Sequence, residues 1–385
     1  MDQFKDIRPY LDHEIGPVLD SLLNDREFIL GVAGFYYPRL TRLMPFLVTL
    51  LAKLRLESQV KRVNSVASMQ DVIATYMDKM IEDTTTGLTH SGLDKLDHSH
   101  TYLFMSNHRD ITMDPAFVNY MLYHNGFETL QIAIGDNLLK KPFVSDLMRL
   151  NKSFIVRRSL KGRELLKALD LLSRYIHDCI DNQHNVWIAQ REGRAKDGVD
   201  KTDPALIKML ARGDKELPLG ESIASLHLVP IAISYEYDAC DQLKAEELHK
   251  IETTGKFEKT DQTDIQSIVT GMMGFKGHVH VTFGEELNPG TNDPDEIAGR
   301  IDSQILANYR LYDSNYIALE LLAESGEVTI PPSVKLAGGH NISAIARKDF
   351  ETRLSGLDKE LHKHFLAMYA NPVISRYRSD GHSSD

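Results

Sequence analysis

The chain has 385 residues, of which 42% are hydrophobic, and its formal net charge at pH 7 is −11. This apolar content excludes wholesale disorder, and the negative charge argues against general nucleic-acid binding. Two cysteines are too few for a disulfide framework or a cysteine-rich zinc site, which is typical of a reducing cytoplasm. The first six residues carry mixed charge without an apolar core, so no signal peptide is predicted.

Residues 1–95 are predicted to be helical, because apolar residues recur at three- and four-residue spacing and no strand alternation is visible. The most apolar stretch, residues 28–55, is interrupted by charges and prolines, and its uncharged pieces are shorter than the ~20 residues that cross a bilayer. Two alternatives stay open: residues 28–62 lie on a membrane surface, or the region is a helical bundle packed on the rest of the chain. In the first alternative, apolar side chains enter the interface and basic ones meet anionic headgroups. The apolar side chains are Phe35, Tyr36, Tyr37, Phe46 and Leu50. The basic ones are Arg39, Arg42, Lys53, Arg55, Lys61 and Arg62.

From about residue 100, short β-type runs alternate with amphipathic segments. This alternation predicts an α/β fold with a mixed, largely parallel sheet covered by helices, and with helical additions at both ends. The predicted strands are 102–105, 130–134, 154–156, 186–189, 226–229 with 231–233, and 279–283. Residues 240–270 are predicted to be an exposed connection or a short helical insertion, and the tail after Pro372 to be frayed. The predicted regions are 1–95, 96–295 and 296–385.

The segment Ser106–Pro115 follows the first predicted strand and places His108 on its exit turn. Strand exits in α/β sheets collect functional groups. Asp114 comes six positions later at a predicted helix start, and a carboxylate beside an imidazole can orient it to take a proton from a hydroxyl. Two other interpretations are a plain helix N-cap role for Asp114 and Asp110 as the partner of His108. A protein-kinase catalytic loop is excluded, because Pro115 stands where its metal-binding Asn is required.

Two later predicted strands end in arginines, at Arg157–Arg158 and at Arg191 and Arg194. A guanidinium group offers a rigid fork of donors that suits a phosphate. Each pair alone could be solvated surface. Two such strand ends downstream of a His/Asp pair favour a shared anion site.

Four ordered blocks within residues 100–290 resemble the motifs of the glycerol-3-phosphate and lysophosphatidate acyltransferases, and the glycerol-3-phosphate branch is the most similar. The blocks are Ser106–Pro115, Gly135–Arg158, Trp187–Gly198 and Leu228–Glu236. The family's first block has four residues between His and Asp, whereas five lie between His108 and Asp114. We predict that the additional residue forms a bulge or wider turn that still lets Asp114 reach the imidazole.

The second and third blocks also depart from the family pattern. Lys152 stands where a Gly usually opens the second block, and Glu192-Gly193-Arg194 lacks the residue that usually separates Gly from Arg.

The resemblance implies an O-acyltransferase of phospholipid biosynthesis, with acyl-CoA or acyl carrier protein as donor and glycerol-3-phosphate or 1-acylglycerol-3-phosphate as acceptor. His108 would be the general base, oriented by Asp114. Arg158 and Arg194 would bind the acceptor phosphate, with Arg157 and Lys196 as second candidates. Three other residues would also take part in substrate binding. Glu192, next to Gly193, would hold an acceptor hydroxyl or orient Arg194. Pro230 would shape the acyl pocket.

The resemblance implies no metal, no cofactor apart from the acyl-carrying co-substrate and no nucleic-acid partner, and His278 and His280 are interpreted as structural. A cytoplasmic location, peripheral at the inner face of the cell membrane, is expected. Two other functions stay open. The altered spacing could mark an acyltransferase for another lysolipid or an amino-acid lipid, or the chain could be a non-catalytic, membrane-peripheral relative that binds acyl chains.

Overall fold

The computed structural model describes residues 2–37, 40, 44–214, 216–326 and 342–380. The first helices are α1 (Asp12–Asn24), α2 (Arg26–Tyr36), α3 (Pro45–Val60), α4 (Val66–Thr84), α5 (Met113–His124), α6 (Pro142–Leu150), α7 (Gly162–Asp181) and α8 (Pro204–Leu210). The later ones are α9 (Leu219–Ala224), α10 (Asp241–Thr254), α11 (Asp261–Met273), α12 (Pro294–Asn308), α13 (Asp313–Glu324), α14 (Ala344–Ser355) and α15 (His362–Asp380). The strands are β1 (Gly87–Ser91), β2 (Leu103–Ser106), β3 (Gln131–Gly135), β4 (Ser153–Val156), β5 (Val186–Ala189), β6 (Leu228–Tyr235) and β7 (His278–Phe283).

Contacts divide the chain into two compact units. One consists of residues 1–78 and 130–175, and the other of residues 79–129 and 176–385. The division into three regions that was inferred from the sequence stays a prediction.

The larger unit holds five strands in the order β1-β7-β6-β2-β5. Three neighbouring pairs are parallel, and only β6 and β7 run antiparallel. All eight residues of β6 are buried, as are all four of β2, which places both strands in the core. The smaller unit holds β3 and β4, which also pair in parallel. The predicted mixed, largely parallel sheet with helices is confirmed.

The smaller unit buries its apolar side chains in two helical clusters. Ile15, Leu19 and Leu22 of α1 pack with Leu150 of α6. In the second cluster α2 packs on α3. The opposite face of α3 is apolar but exposed, with Phe46 85% accessible. Its other members are Leu47, Leu50, Leu51 and Leu54. No helix among the described residues combines the length and apolar character needed to cross a membrane.

The predicted strands are all observed, but the prediction of an entirely helical segment 1–95 is wrong at β1. This strand, Gly87–Ser91, pairs in parallel with β7 and is exposed over its last three residues. A mostly exposed edge strand buries no regular apolar face, so its sequence carries no alternation. Its strand conformation depends on the partner strand.

In the C-terminal half, the structure decides between the two alternatives for residues 240–270. The helical one is observed, because these residues form α10 and most of α11, and Lys244, Ala245 and Glu247 of α10 are buried. The prediction for the tail needs correction. The tail after Pro372 is not frayed as far as Asp380, because α15 continues through the proline and buries Val373 and Ile374. Packing against α13 and α14 stabilises this end of the helix.

Candidate active site

The exit turn of β2 is fixed by main-chain hydrogen bonds to the loop after β5. The N–H of Gln190 donates to the carbonyl of Ser106 at 2.8 Å, and the N–H of Ala195 donates to the carbonyl of His108 at 2.8 Å. β2 and β5 are neighbouring parallel strands, so their carboxyl ends meet at one edge of the sheet. The first and third sequence blocks therefore lie side by side.

His108 and Asp114 are in direct contact. Nδ1 of His108 lies 2.9 Å from Oδ2 of Asp114, whose side chain is fully buried, while the His108 side chain retains 15% accessibility. Oδ2 also accepts hydrogen bonds from the N–H groups of Arg109 (2.6 Å) and Asp110 (2.9 Å). The hydroxyl of Tyr235 donates to Oδ1 at 2.7 Å. An Nδ1–H tautomer, assigned from this geometry, leaves Nε2 as the basic ring nitrogen.

Asp110 has a different task from Asp114. Its Oδ1 accepts hydrogen bonds from the N–H groups of Thr112 and Met113, both at 2.9 Å, at the start of α5. The capping interpretation of Asp114 is therefore wrong, since Asp110 supplies the cap and Asp114 turns back to the imidazole. Burial, together with the nearby charge of Asp114, raises the pKa of Asp110. A Cβ on Gly271 of α11 would lie 2.1 Å from Oδ2 of Asp110, so this close approach requires a glycine.

Arg109 supports the turn from within the protein. Its buried guanidinium donates to Asp200 at 2.6 Å and to the carbonyl of Gly198 at 3.2 Å. Its own carbonyl accepts a hydrogen bond of 2.7 Å from Nζ of Lys244 on α10. These bonds hold the His108 turn between the third block and α10.

Arg194 lies in the loop after β5, one residue before the N–H group that binds the His108 carbonyl. Its Nη2 donates to Oγ of Ser267 on α11 at 3.2 Å. Its Nη1 is buried and has no hydrogen-bond partner within the described part of the chain. A buried guanidinium N–H without an acceptor is costly, and an anionic oxygen would satisfy it. Arg194 thus offers a buried donor to an anion.

The neighbours of Arg194 in the third block are placed differently from one another. Glu192 is exposed, and Gly193 has φ of 76°, a left-handed conformation that favours glycine. Lys196 forms an ion pair with Glu247 of α10, and burial lowers its pKa despite this partner. Lys196 is therefore engaged in a structural contact within its own unit.

Arg157 and Arg158 belong to the smaller unit, at the end of β4. Arg157 lies 3.6 Å from Asp6. The N–H of Arg158 donates to Asp136 at 3.1 Å, and the hydroxyl of Ser159 donates to the same carboxylate at 2.6 Å. Asp136 thereby joins the two parts of the second sequence block.

Pro230 lies within β6 and is buried, with its Cα opposite that of Met105. Its carbonyl accepts a hydrogen bond of 2.9 Å from Gly284. A role for this proline in shaping an acyl pocket stays a prediction.

Neither cysteine is placed as a nucleophile. Cys179 and Cys240 are both buried, and burial raises the pKa of Cys240 to about 12. A thiol with so high a pKa is a poor source of thiolate.

His278 and His280 bind hydroxyl groups. The ring nitrogens of His280 lie 2.7 Å from Oγ1 of Thr89 and 3.1 Å from Oγ of Ser91, and Nδ1 of His278 lies 2.8 Å from the hydroxyl of Tyr312. Burial lowers the pKa of His280 to about 4.

Tyr235, Trp187 and Ser267 are among the residues of the site that received no role from the sequence. Tyr235 lies in the fourth block. Its hydroxyl group at the end of an otherwise mostly apolar strand is the sequence feature that indicates a possible role. Trp187 donates from Nε1 to Oγ of Ser106 at 3.1 Å, and its ring meets that of His108 edge-on with centroids 6.0 Å apart. Ser267 lies in a polar segment without any motif, so only the fold reveals it.

Part of the chain is similar to known proteins. Residues 87–234 match the family model described as Acyltransferase. This stretch of the chain is therefore similar to that family. The resemblance seen in the sequence blocks is thereby confirmed.

Several curated relatives are named glycerol-3-phosphate acyltransferase. That of Pseudomonas syringae pv. tomato is 24% identical over 225 residues, which are 58% of this chain and 26% of the relative. That of Xanthomonas axonopodis pv. citri is 28% identical over 142 residues, covering 33% of this chain and 16% of the relative. This chain thus spans about a quarter or less of the length of these relatives. The crystal structure of the 1-acyl-sn-glycerophosphate acyltransferase of Thermotoga maritima covers 63% of this chain and 78% of its own, at 11% identity and a TM-score of 0.37.

Proposed function

We propose that this chain transfers a fatty acyl group from a thioester, carried by coenzyme A or by acyl carrier protein, to a hydroxyl of glycerol-3-phosphate or 1-acylglycerol-3-phosphate. The observation that carries the proposal is the 2.9 Å contact between His108 Nδ1 and the buried Asp114 carboxylate, within the residues that match the acyltransferase family model. The glycerol-phosphate acceptor is supported by the names of the curated relatives and by Nη1 of Arg194, which has no partner among the described residues.

In the proposed mechanism His108 is the general base. Its Nε2 takes the proton of the acceptor hydroxyl while the hydroxyl oxygen attacks the thioester carbonyl carbon. The tetrahedral intermediate collapses by breaking the carbon–sulfur bond, and the imidazolium returns its proton to the departing thiolate. Asp114 holds the Nδ1–H tautomer and stabilises the imidazolium. No acyl-enzyme forms, which agrees with the buried state of both cysteines.

Arg194 binds the acceptor phosphate in this scheme. Its backbone is fixed close to His108, because the next residue donates its N–H to the His108 carbonyl. Its Nη1 gains the acceptor that it lacks among the described residues. Phosphate binding at Arg194 would thus place a glycerol hydroxyl near the imidazole.

The test is a substrate panel with the purified chain. Acyl-CoA and acyl carrier protein serve as donors. Glycerol-3-phosphate, 1-acylglycerol-3-phosphate, an amino-acid lysolipid and glycerol serve as acceptors, with products identified by mass spectrometry. We expect a phosphate-bearing acceptor to exceed glycerol in kcat/KM by at least about tenfold, the worth of one charge-assisted hydrogen bond. Preference for the amino-acid lysolipid, or acyl-chain binding without transfer to any acceptor, would contradict the proposal and favour one of the two alternatives.

We further propose that the chain contacts a membrane surface peripherally, at the inner face of the cell membrane. The support is the exposed apolar face of α3, where Phe46 is 85% and Leu50 is 49% accessible. In the larger unit α11 exposes Ile265, Val269 and Met273 at four-residue spacing, 44%, 50% and 54% accessible. Arg39 and Arg42, which were expected to meet headgroups, lie outside the described residues.

Co-sedimentation with anionic vesicles tests the membrane contact. Phe46→Ser combined with Leu50→Ser should lower vesicle binding by at least about tenfold, because two large apolar side chains leave the interface. Leu166→Ser is a matched control, since Leu166 is 49% accessible but lies on α7. Equal binding by all three proteins, or no binding by the wild type, would favour the helical-bundle alternative.

A further inference from the structure

Two histidines and a glutamate form a cluster that the proposed acyl transfer does not use. The residues are His249 and Glu252 on α10 and His364 on α15, and their candidate ligand atoms all lie within 4.8 Å of one another. Within the described part of the chain this is the one such group of three. It shares no residue with the His108 site.

We propose that this cluster binds a divalent transition-metal ion of the zinc class. Two imidazole nitrogens and a carboxylate oxygen are a donor set that suits Zn²⁺, which binds such atoms at about 2.0–2.2 Å. The side chains are half-buried or exposed, so a small rotation of each can bring its donor atom to that distance. Glu360 borders the cluster, because its Oε2 lies 3.4 Å from Nε2 of His249.

The helices bring the donors together without distortion. His249 and Glu252 are three positions apart on α10, so they project from the same helix face. His364 lies in the first turn of α15, and its Nε2 is 2.9 Å from Oε2 of Glu252. The rings of His249 and His364 meet edge-on with centroids 6.2 Å apart. The ligand set is therefore shared between two helices.

Lys363 is the competing cation at this site. Its Nζ lies 2.9 Å from Oε1 of Glu252, so one oxygen of this carboxylate faces the ammonium and the other faces His364. These hydrogen bonds hold the pKa of Glu252 below its usual value. A metal ion would replace the His364–Glu252 hydrogen bond and would be opposed by the Lys363 charge.

The consequence of metal binding would be to cross-link α10 to α15. Earlier on the same helix, α10 carries Glu247, which pairs with Lys196, and Lys244, which donates to the Arg109 carbonyl. The same helix therefore contacts both loops of the candidate active site. We assign the metal a structural role, namely holding the helix on which those loops rest.

The experiment is a Zn²⁺ titration of the full chain at pH 7.5, monitored by calorimetry and by thermal unfolding. We expect one ion per chain and a rise in Tm. Loss of an outer-shell partner of a metal typically costs about 10- to 100-fold in affinity, so removing a ligand by His249→Ala or His364→Ala should cost at least as much and abolish the Tm shift. His362→Ala is the matched control, because His362 contacts the Leu357 carbonyl at 3.2 Å and is not part of the cluster.

Lys363→Ala gives a test of opposite sign. Removing the ammonium should tighten Zn²⁺ binding several-fold if Glu252 is a ligand, whereas an affinity equal to or below that of the wild type would contradict that role. The whole proposal would be overturned by absence of zinc binding in the wild type, or by His249→Ala and His364→Ala binding zinc as the His362→Ala control does. None of these readouts depends on acyl transfer, so failure here is distinguishable from failure of the proposed function.

Discussion

The strand end after β4 and the strand end after β5 both carry arginines, yet their surroundings differ. After β5, Arg194 reaches Ser267 on α11, and the adjacent N–H binds the His108 carbonyl. After β4, Arg157 lies near the exposed carboxylate of Asp6, at 3.6 Å. Nη1 of Arg194 is buried and has no hydrogen-bond partner among the described residues, so this N–H is available to an anion.

Two aspartates at other strand ends, Asp110 after β2 and Asp136 after β3, also differ in their surroundings. Burial raises the pKa of Asp110, which lies under α11. Burial acts in the same direction on Asp136 beside β4, but the hydrogen bonds from Ser159 and Arg158 outweigh it and hold the pKa of Asp136 below 3.8. Similar strand-end sequences thus acquire different electrostatics from the elements that pack on them.

The largest difference in expected effect on kcat within the His108 region is between substitutions of Asp114 and of Asp110. Asp114→Asn should lower kcat by about 10²–10⁴-fold, because an amide cannot hold the required imidazole tautomer. Asp110→Asn keeps an oxygen for the cap of α5, so kcat should stay within about fivefold and the free energy of unfolding should fall by no more than about 1 kcal/mol. Steady-state kinetics and urea unfolding check both variants. A larger kinetic effect at Asp110 would reverse the assignment.

The comparison between the two arginine regions predicts a difference in acceptor binding. Arg194→Ala should raise the acceptor KM by about 10- to 100-fold with kcat little changed, since hydrogen bonds to charged groups contribute about 1.5–3 kcal/mol. Arg157→Ala should change KM by less than about twofold, as for an exposed ion pair. Acceptor saturation curves measure both. A larger effect at Arg157 would break the comparison.

Tyr235 tests whether the buried network around Asp114 matters for the rate. Tyr235→Phe removes the donor to Oδ1 of Asp114 and should lower kcat by about three- to tenfold while KM is unchanged. Tyr237→Phe, two positions later in the chain, is the control and should leave kcat unchanged. If both variants behave alike, Tyr235 is only a packing residue.

The smallest effect, a change in stability, is expected for substitution of Asp136 in the smaller unit. Because its folded pKa is lowered from 3.8, this carboxylate adds stability above that pH and loses it as the pH falls through the folded value. Asp136→Asn should therefore be less stable than the wild type at pH 6, and the difference should shrink below about pH 3.8. Urea unfolding at several pH values measures this. A difference that grows on acidification would contradict the assignment.

Much of the fold follows from local patterns. The strands of the sheet are visible as apolar runs between amphipathic helices, and the His108 exit turn follows from the strand before it. β1 is not visible, because a mostly exposed edge strand needs no apolar alternation. The burial of Lys244 and Glu247 is not visible either, because it depends on partners in the loops of the first and third blocks.

The candidate site was predictable in its residues more than in its contacts. Because of the additional residue after His108, the sequence does not decide whether Asp110 or Asp114 contacts the imidazole. The geometry decides it: Asp110 accepts hydrogen bonds from N–H groups at the start of α5, and Asp114 contacts the imidazole. The pairing of Lys196 with Glu247 also escaped prediction, since the two residues are 51 positions apart. Long-range polar contacts of this kind leave no periodic signal in a sequence.

The central claim is that His108 is the base of an acyl transfer. The most direct measurement is the rate of acyl transfer to glycerol-3-phosphate and 1-acylglycerol-3-phosphate by His108→Ala, beside His100→Ala as a control. His100 is an exposed histidine whose side chain is 56% accessible and pairs with Asp97. We predict that His108→Ala lowers kcat by about 10²–10⁴-fold with an unchanged circular dichroism spectrum, while His100→Ala retains full activity. Activity of a folded His108→Ala within a few-fold of the wild type would contradict the claim.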